Sequence, residues 1–176
     1  YVSASSNMTM GEVRDNKTLA NKRYHPVSEN IQFKDSTGKS MDWVESVVKY
    51  ERPDILILDM GDKFADIRSE RSDITLKAAA IHARNIAKQY DCAVVWMSQL
   101  SAEAEGRADL NQAMMEGSKT GKAAEADLMV LIGKTQQAEG EEDDPIRYLN
   151  IAKNKLNGFQ GKITCVLDGS RSVYSA

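Results

Sequence analysis

Apolar positions in the first part of the chain are sparse and closely spaced. Met10 and Val13 predict a short helix that the side chain of Thr9 would cap. Apolar and polar residues alternate around Ile31, which predicts a short strand over Asn30–Lys34. These elements predict a peripheral helix and strand region over residues 1–52.

Two longer helical patterns follow. Ser40 is a suitable cap for a helix that carries Val44 and Val48 on one face, and Pro53 would end it. The second pattern runs from Ile74 to Tyr90, with alanines at helical spacing that permit close packing against a sheet.

Short runs of consecutive apolar residues separate these helices. Such runs are typical of strands that are covered on both faces, as in a parallel sheet. The runs are Pro53–Met60, Ala93–Met97 and Leu128–Ile132. Two further segments, Tyr148–Ile151 and Ile163–Leu167, predict an antiparallel pair connected through Asn157-Gly158 and Gly161. The order of strands and helices predicts one α/β domain with a mostly parallel sheet and C-terminal antiparallel strands.

Composition narrows the class of protein. Of the 176 residues, 41% are hydrophobic and 28% are charged, which is typical of a globular domain and excludes a disordered chain. The net charge of −3 excludes a generally basic nucleic-acid coat but not a local patch. Two cysteines allow neither a disulfide framework nor a cysteine-rich zinc site. With no membrane-spanning run and no secretory leader, the expected location is the cytoplasm.

Two polar segments interrupt the pattern. Ser101–Ala126, rich in Ala, Gly, Glu and Lys, is interpreted as a functional loop, and the acidic Gln136–Asp144 as a solvated, mobile excursion. These interruptions divide the rest of the domain into residues 53–134, which carry the central strands, and residues 145–176, which carry the C-terminal strands.

Polar residues end two of the predicted strands. Asp59 and Ser98-Gln99 would lie outside the carboxyl ends of parallel strands, where ligands bind in open α/β sheets. A carboxylate there suits a Mg²⁺–nucleotide complex, and an amide suits a phosphate or a water. The alternatives are a turn-capping Asp and a loop-capping Gln. Asp62, close to Asp59, is interpreted as a loop residue.

The segment Gly117-Ser-Lys-Thr-Gly121-Lys122 is not a phosphate-binding P-loop. That pattern needs four residues between its glycines and a Ser or Thr after the Lys, whereas here three residues separate the glycines and Ala123 follows. No other segment of the chain satisfies the pattern.

Lys153 and Lys155 are separated by one residue on a predicted strand and would point to the same side. Paired cations at a strand end suit phosphate binding, and exposed lysines that protect an edge strand are the equally weighted alternative. His25 and His82 are isolated from other ligand-like residues, so no metal site is predicted at either.

In combination these segments resemble a known family. Pro53-Asp-Ile-Leu-Ile-Leu-Asp59 resembles a Walker B strand, and Val94-Val-Trp-Met-Ser-Gln-Leu100 resembles the switch strand of RecA-type motors. Gly117–Asp127 resembles the end of their DNA-facing loop, and Ile151–Gly158 resembles their basic strand near the subunit interface. Over Pro53 to about Leu167 the chain is similar to the C-terminal motor domain of hexameric replicative helicases, of the DnaB and phage primase–helicase kind.

The resemblance implies an ATP-dependent helicase motor that moves on single-stranded DNA, in the host cytoplasm if the protein is phage-encoded. Asp59 would hold Mg²⁺–ATP, and Gln99 would contact the γ-phosphate. Lys153 and Lys155 would reach the ATP site of the neighbouring subunit in a homo-oligomeric ring. Arg107, Lys119 and Lys122, within the loop Ser101–Ala126, would contact the DNA.

The chain departs from the family in three respects. The family's P-loop and catalytic Glu strand would precede Tyr1, so the chain is expected to be part of a longer polypeptide and inactive alone. Lys155 stands where many relatives have Arg, and loses the fork geometry. The DNA-facing loop carries five acidic and three basic residues, whereas Arg147–Ala176 carries five basic residues and one acidic residue.

Two alternatives remain open. One is a recombinase or helicase-loader ATPase of the same fold, and the other is a non-catalytic module that binds DNA or a partner. A metal-dependent nuclease is disfavoured because no second carboxylate clusters with Asp59 at a strand end. Ring size, directionality and an attached primase domain are beyond what these residues predict.

Overall fold

The protein is described by a computed structural model that covers residues 2–64, 72–116, 121–137 and 144–176. Its helices are α1 (Val2–Ser6), α2 (Met10–Asp15), α3 (Lys17–Ser28), α4 (Met41–Glu51), α5 (Ser72–Tyr90) and α6 (Gly121–Glu125). Its strands are β1 (Ile55–Leu58), β2 (Ala93–Trp96), β3 (Leu128–Gly133), β4 (Ile146–Asn154), β5 (Gly161–Asp168) and β6 (Val173–Ser175).

Three short helices begin the chain. Thr9 caps α2 as predicted, and Glu12 completes a capping box by accepting from the Thr9 backbone N–H at 2.7 Å. The Met10 N–H donates to the Ser170 carbonyl at 2.9 Å, and Ser3 Oγ reaches the same oxygen at 3.3 Å. The N-terminal helices are therefore held against the turn between β5 and β6.

The strand predicted over Asn30–Lys34 is wrong. Residues 31–34 have no regular secondary structure, and Phe33 is 66% exposed. Alternation alone does not make a strand, because a strand also needs a neighbour that pairs with its backbone. Lys34 instead forms an ion pair with Glu51 on α4 at 2.6 Å.

Helix α4 has the predicted bounds. Ser40 accepts from the Trp43 N–H, and the helix ends at Glu51, before Arg52 in left-handed conformation (φ 51°) and Pro53. Its buried face packs on β1, β2 and α5, and this first core contains Met41, Val44, Val48, Leu58, Ala79, Ala83, Ile86 and Cys92.

Strands β1 and β2 pair in parallel, with Ile55 opposite Ala93 and Leu58 opposite Trp96. Helix α5 connects them and packs against α4, as the βαβ pattern predicts.

The expectation that these strands are covered on both faces is wrong for the described residues. Leu58 is 3% exposed, whereas Ile55 is 60% and Ile57 49% exposed. Helices α4 and α5 cover one face, and nothing in the described ranges covers the other. On β3 the same alternation leaves Val130 exposed beside buried Leu131.

The second sheet is antiparallel, in the order β3-β4-β5-β6. The predicted pair is confirmed as β4 and β5, with Leu149 opposite Ile163. Strand β4 is central, because β3 pairs on its other side and places Met129 opposite Lys153. A parallel pair followed by antiparallel strands confirms the predicted α/β class.

The described residues of the predicted loop Ser101–Ala126 form an ordered segment. Two 3₁₀ turns, Ala102–Ala104 and Gln112–Met114, lie in it, and Leu100 bridges to Met115. This segment packs on β3 and α6 in a second core that contains Ala104, Leu110, Met114, Met115, Ala123, Met129 and Leu131. Of the acidic excursion, residues 138–143 lie outside the described ranges.

Candidate functional site

Asp59 and Gln99 lie at the same edge of the parallel pair, which we call the nucleotide edge. Each follows a strand end, and Leu58 and Trp96, the last residues of the two strands, are in register. The Met97 N–H continues the pairing by donating to the Leu58 carbonyl at 3.1 Å. Both polar side chains are exposed, so the geometry leaves them accessible to a ligand outside the carboxyl ends of the strands.

A 3₁₀ turn, Gly61–Phe64, folds back over Trp96 directly after Asp59. The Gly61 N–H donates to the Met97 carbonyl at 2.9 Å. A β-carbon at Gly61 would lie 2.3 Å from the Trp96 ring, so only glycine fits this approach. The turn thereby directs Asp62 towards the end of β2.

Asp62 is the centre of a polar cluster that joins three segments of the chain, here called the Asp62 cluster. Its carboxylate accepts from Trp96 Nε1 at 3.0 Å, from Ser98 Oγ at 2.5 Å and from Lys122 Nζ at 2.9 Å. Lys122 Nζ also donates to Ser98 Oγ at 2.7 Å. The cluster consists of Asp62, Trp96, Ser98 and Lys122.

The position of Lys122 corrects the expectation that it contacts DNA. Lys122 is 5% exposed, and its ammonium donates to Asp62 and Ser98. The sequence shows neither fact, because the partners lie 60 and 24 residues away. The one sequence signal was Trp96, since an indole N–H in a buried strand needs an acceptor.

Lys153 and Lys155 reach the C-terminal end of α6 from β4. Lys153 Nζ donates to the Ala123 carbonyl and, at 3.3 Å, to the Ala124 carbonyl. Lys155 Nζ lies 3.3 Å from Asp127 Oδ1. Because β4 is a central strand, the alternative that these lysines protect a sheet edge does not apply.

Positive charge is concentrated at this end of α6. Arg84 on α5 donates to the Glu125 carbonyl and, at 3.1 Å, to Asp127 Oδ1. Cations favour a helix C-terminus, where the last carbonyls lack partners within the helix. Desolvation and the neighbouring Lys155 charge lower the pKa of Lys153, and the bonds from Arg84 and Lys155 lower the pKa of Asp127.

Of the remaining predicted DNA contacts, Arg107 is exposed, and Lys119 lies outside the described residues. The backbone at Arg107 lies against β3, where a β-carbon on Gly133 would be 2.6 Å from the Arg107 carbonyl oxygen. Arg107 is therefore presented from an anchored backbone.

Asn150 anchors the same segment. This residue of β4 is 7% exposed. Its Oδ1 accepts from the Leu110 N–H at 3.3 Å, and its Nδ2 donates to the Ala108 carbonyl at 2.9 Å. Sequence reasoning missed Asn150, although an Asn within an apolar strand was a usable signal, because a buried amide needs partners.

His82 has a structural role between α4 and α5. Its Nε2 lies 2.7 Å from Glu45 Oε2, and Tyr90 donates to Glu45 Oε1 at 3.0 Å. These two bonds lower the pKa of Glu45. Across the described residues no three His, Cys, Asp or Glu side chains are grouped closely enough to hold a metal ion, which accords with the sequence interpretation of both histidines.

A lone exposed carboxylate such as Asp59 fits Mg²⁺ in one particular way. Mg²⁺ in phosphate-transfer sites keeps several waters and is held by one or two carboxylates plus the phosphates of the substrate. The donor set at the nucleotide edge thus matches a Mg²⁺–nucleotide complex. Among the described helices none is long and apolar enough to cross a bilayer.

The parallel pair, the strand-end polar residues and the C-terminal antiparallel strands define the fold of a RecA-like ATPase domain. Solved structures bear this out. The chain superposes on the ATPase domain of a DnaB-like replicative helicase with a TM-score of 0.82 and 15% identity, over 98% of this chain and 67% of that one. It also superposes on a second DnaB-like replicative helicase, solved for its interactions with primase, with a TM-score of 0.79 and 16% identity.

The second superposition covers 98% of this chain and 46% of the helicase, so the chain spans less than half of that protein. No protein-family model and no curated protein matches the sequence. The likeness therefore lies in the fold, as the predicted resemblance implied.

Proposed function

We propose that this chain is part of an ATP-dependent replicative DNA helicase motor that couples ATP hydrolysis to movement on single-stranded DNA. The observation that carries the proposal is the pair Asp59 and Gln99, exposed side by side at the carboxyl edge of a parallel sheet. The fold of DnaB-like ATPase domains supports it.

In the proposed motor Asp59 holds Mg²⁺–ATP, and Gln99 contacts the γ-phosphate. The ion would neutralise charge that develops on the transferring phosphoryl group. Lys153 and Lys155 stabilise the same group from a neighbouring subunit of a homo-oligomeric, hexameric ring. For that role they must exchange their contacts with α6 for contacts with phosphate.

Single-stranded DNA is proposed to contact the segment Ser101–Ala126 through Arg107 and Lys119, without Lys122. Because the segment is acidic overall, binding would depend on these two cations and on backbone N–H groups. Such a motor works in the cytoplasm, that of a bacterial host if the protein is encoded by a bacteriophage.

The chain by itself is proposed to be inactive as an ATPase. No segment of it has the P-loop pattern, and without that loop nothing cradles the β- and γ-phosphates. Activity tests therefore need the protein encoded by the complete reading frame beside the 176-residue chain. Substantial hydrolysis by the purified 176-residue chain would contradict this part of the proposal.

The motor role is tested by Asp59→Asn in the complete protein. We expect this variant to lose ATP turnover at least a hundredfold, since an amide binds Mg²⁺ poorly and electrostatic stabilisation is a large part of phosphoryl-transfer catalysis. Steady-state ATP hydrolysis measures it. Asp54→Asn, at the other end of β1, removes the same charge away from the nucleotide edge and should leave turnover unchanged.

Equal turnover in the wild type and in the Asp59→Asn variant would favour a non-catalytic DNA- or partner-binding module. Unwinding of a forked duplex separates a helicase from a recombinase or a helicase loader. A protein that hydrolyses ATP with DNA but leaves the fork intact would belong to that second class.

A further inference from the structure

The Asp62 cluster connects the two regions that a DNA motor must connect. Asp62 lies three residues after Asp59, and Ser98 directly precedes Gln99, so two members belong to the nucleotide edge. Lys122 belongs to α6, at the end of the segment Ser101–Ala126. A single buried ammonium thus joins the two strand ends to the candidate DNA-facing segment.

The contacts of Lys122 make this connection stiff. An ammonium has three donors, and here they face both oxygens of Asp62 and the hydroxyl of Ser98. Its side chain is 4% exposed, so water cannot replace a lost partner without opening the site. Removing one member leaves a buried charge without compensation, and the three segments therefore move together or the cluster breaks.

The far end of α6 is held independently. Lys153 and Lys155 reach its last carbonyls and Asp127 from β4, and Arg84 holds the same end from α5. Helix α6 therefore lies between the nucleotide edge, contacted by its first turn, and the candidate trans-acting lysines, contacted by its last turn. A displacement at either end is passed along one five-residue helix.

We propose that the Asp62 cluster couples the nucleotide edge to the DNA-facing segment through α6, and that Lys122 and Ser98 are positioning residues for this coupling. The inference rests on the proposed motor function and adds the residues that transmit its signal. Lys122 touches neither DNA nor ATP in this arrangement.

The test compares ATP hydrolysis by the complete protein with and without a single-stranded oligonucleotide. In Lys122→Met we expect the stimulation by DNA to fall about tenfold, within the range of measured coupling between sites, while the KM for ATP changes little. Lys63→Met is the matched control, since it removes an exposed lysine from the adjoining 3₁₀ turn and should keep full stimulation. Lys122→Arg keeps the charge and should restore part of the effect.

Ser98→Ala removes one oxygen of the cluster and keeps the Lys122–Asp62 pair, so it decides the question should Lys122→Met not fold. It should lose part of the DNA stimulation at a melting temperature close to that of the wild type.

A purely structural cluster would instead lower the melting temperature and reduce the rates with and without DNA in proportion. An unchanged stimulation ratio in Lys122→Met and in Ser98→Ala would overturn the coupling role and leave the motor function intact. A wild-type protein that DNA does not stimulate would overturn the motor function, and the coupling role with it.

Discussion

Asp168 shows how a single exposed residue holds distant parts of the chain together. Ser170 Oγ donates to its Oδ1 at 2.6 Å, and Arg171 donates to its Oδ2 at 2.8 Å. These bonds, the Ser170 bond first, lower the pKa of Asp168 to about 2. The turn that they fix presents the Ser170 carbonyl to Met10 and Ser3, so the turn also holds the N-terminal helices.

We therefore predict that Asp168→Asn lowers the melting temperature at neutral pH. Because the folded-state pKa lies below the unfolded value, the carboxylate stabilises the fold above about pH 4 and loses this contribution as the pH falls towards 2. Thermal unfolding at a series of pH values measures it, and the difference from wild type should shrink below about pH 4.

The control for this prediction is Asp54→Asn, which removes an exposed carboxylate away from the turn and should not reproduce the pH-dependent difference. A destabilisation by Asp168→Asn that is equally large at pH 7 and near pH 2 would contradict the charged role of Asp168. NMR titration of the Asp168 carboxyl group gives an independent value of its pKa.

At the scale of elements, the segment Ser101–Glu116 depends on one amide. Asn150 satisfies the Leu110 N–H and the Ala108 carbonyl from within β4, where water does not reach. We predict that Asn150→Ala costs about 1–3 kcal/mol of stability, because a buried donor and a buried acceptor lose their partners.

The Asn150→Ala variant is also expected to exchange the Leu110 amide hydrogen faster than wild type, while amides of α4 keep their rates. Hydrogen exchange and urea unfolding measure the two effects. Asn21→Ala, on an exposed face of α3, is the matched control. Unchanged exchange at Leu110 would show that the packing of Leu110 and Met114 alone holds the segment.

Elements whose signals are local were predictable from the sequence. Ser40 and the valine spacing defined α4 to within a residue, and Thr9 correctly marked the start of α2, because caps and helical periodicity act within a few residues. The strand at Asn30–Lys34 failed because pairing depends on a distant partner. Lys122 failed for the same reason, since its burial depends on Asp62 and on the glycine that lets that turn approach Trp96.

The candidate site was predictable only in part. The strand-end positions of Asp59 and Gln99 followed from the order of apolar runs, because parallel strands end at one edge. The contacts of Lys153 and Lys155 with α6 did not follow, because a helix of five residues leaves almost no periodic pattern. The exposed face of β1 was hidden too, since a four-residue apolar run reads the same with one face covered or with both.

At the scale of the whole molecule, the exposed face of β1 and β2 and the lysines of β4 both favour an assembly larger than this chain. Ile55, Ile57 and Val95 are each more than 40% exposed on one side of the parallel pair. Lys155, which is proposed to act on the neighbour's ATP, lies at the end of β4, next to a hairpin tip with exposed Leu156 and Phe159. A trans-acting residue requires that each ATP site be built from two subunits.

This requirement predicts complementation between two inactive variants of the complete protein. Asp59→Asn subunits keep Lys155, and Lys155→Ala subunits keep Asp59, so an interface with both groups forms only where the two kinds meet in the correct order. Random mixing in equal amounts makes about a quarter of the interfaces of a cyclic ring competent. ATP turnover should therefore recover to roughly that fraction of the wild-type rate. Lys49→Ala, which removes an exposed lysine of α4, should remain active alone. If Lys155 served its own subunit's ATP instead, no mixed interface would contain a complete site, and the mixture would stay as inactive as its components.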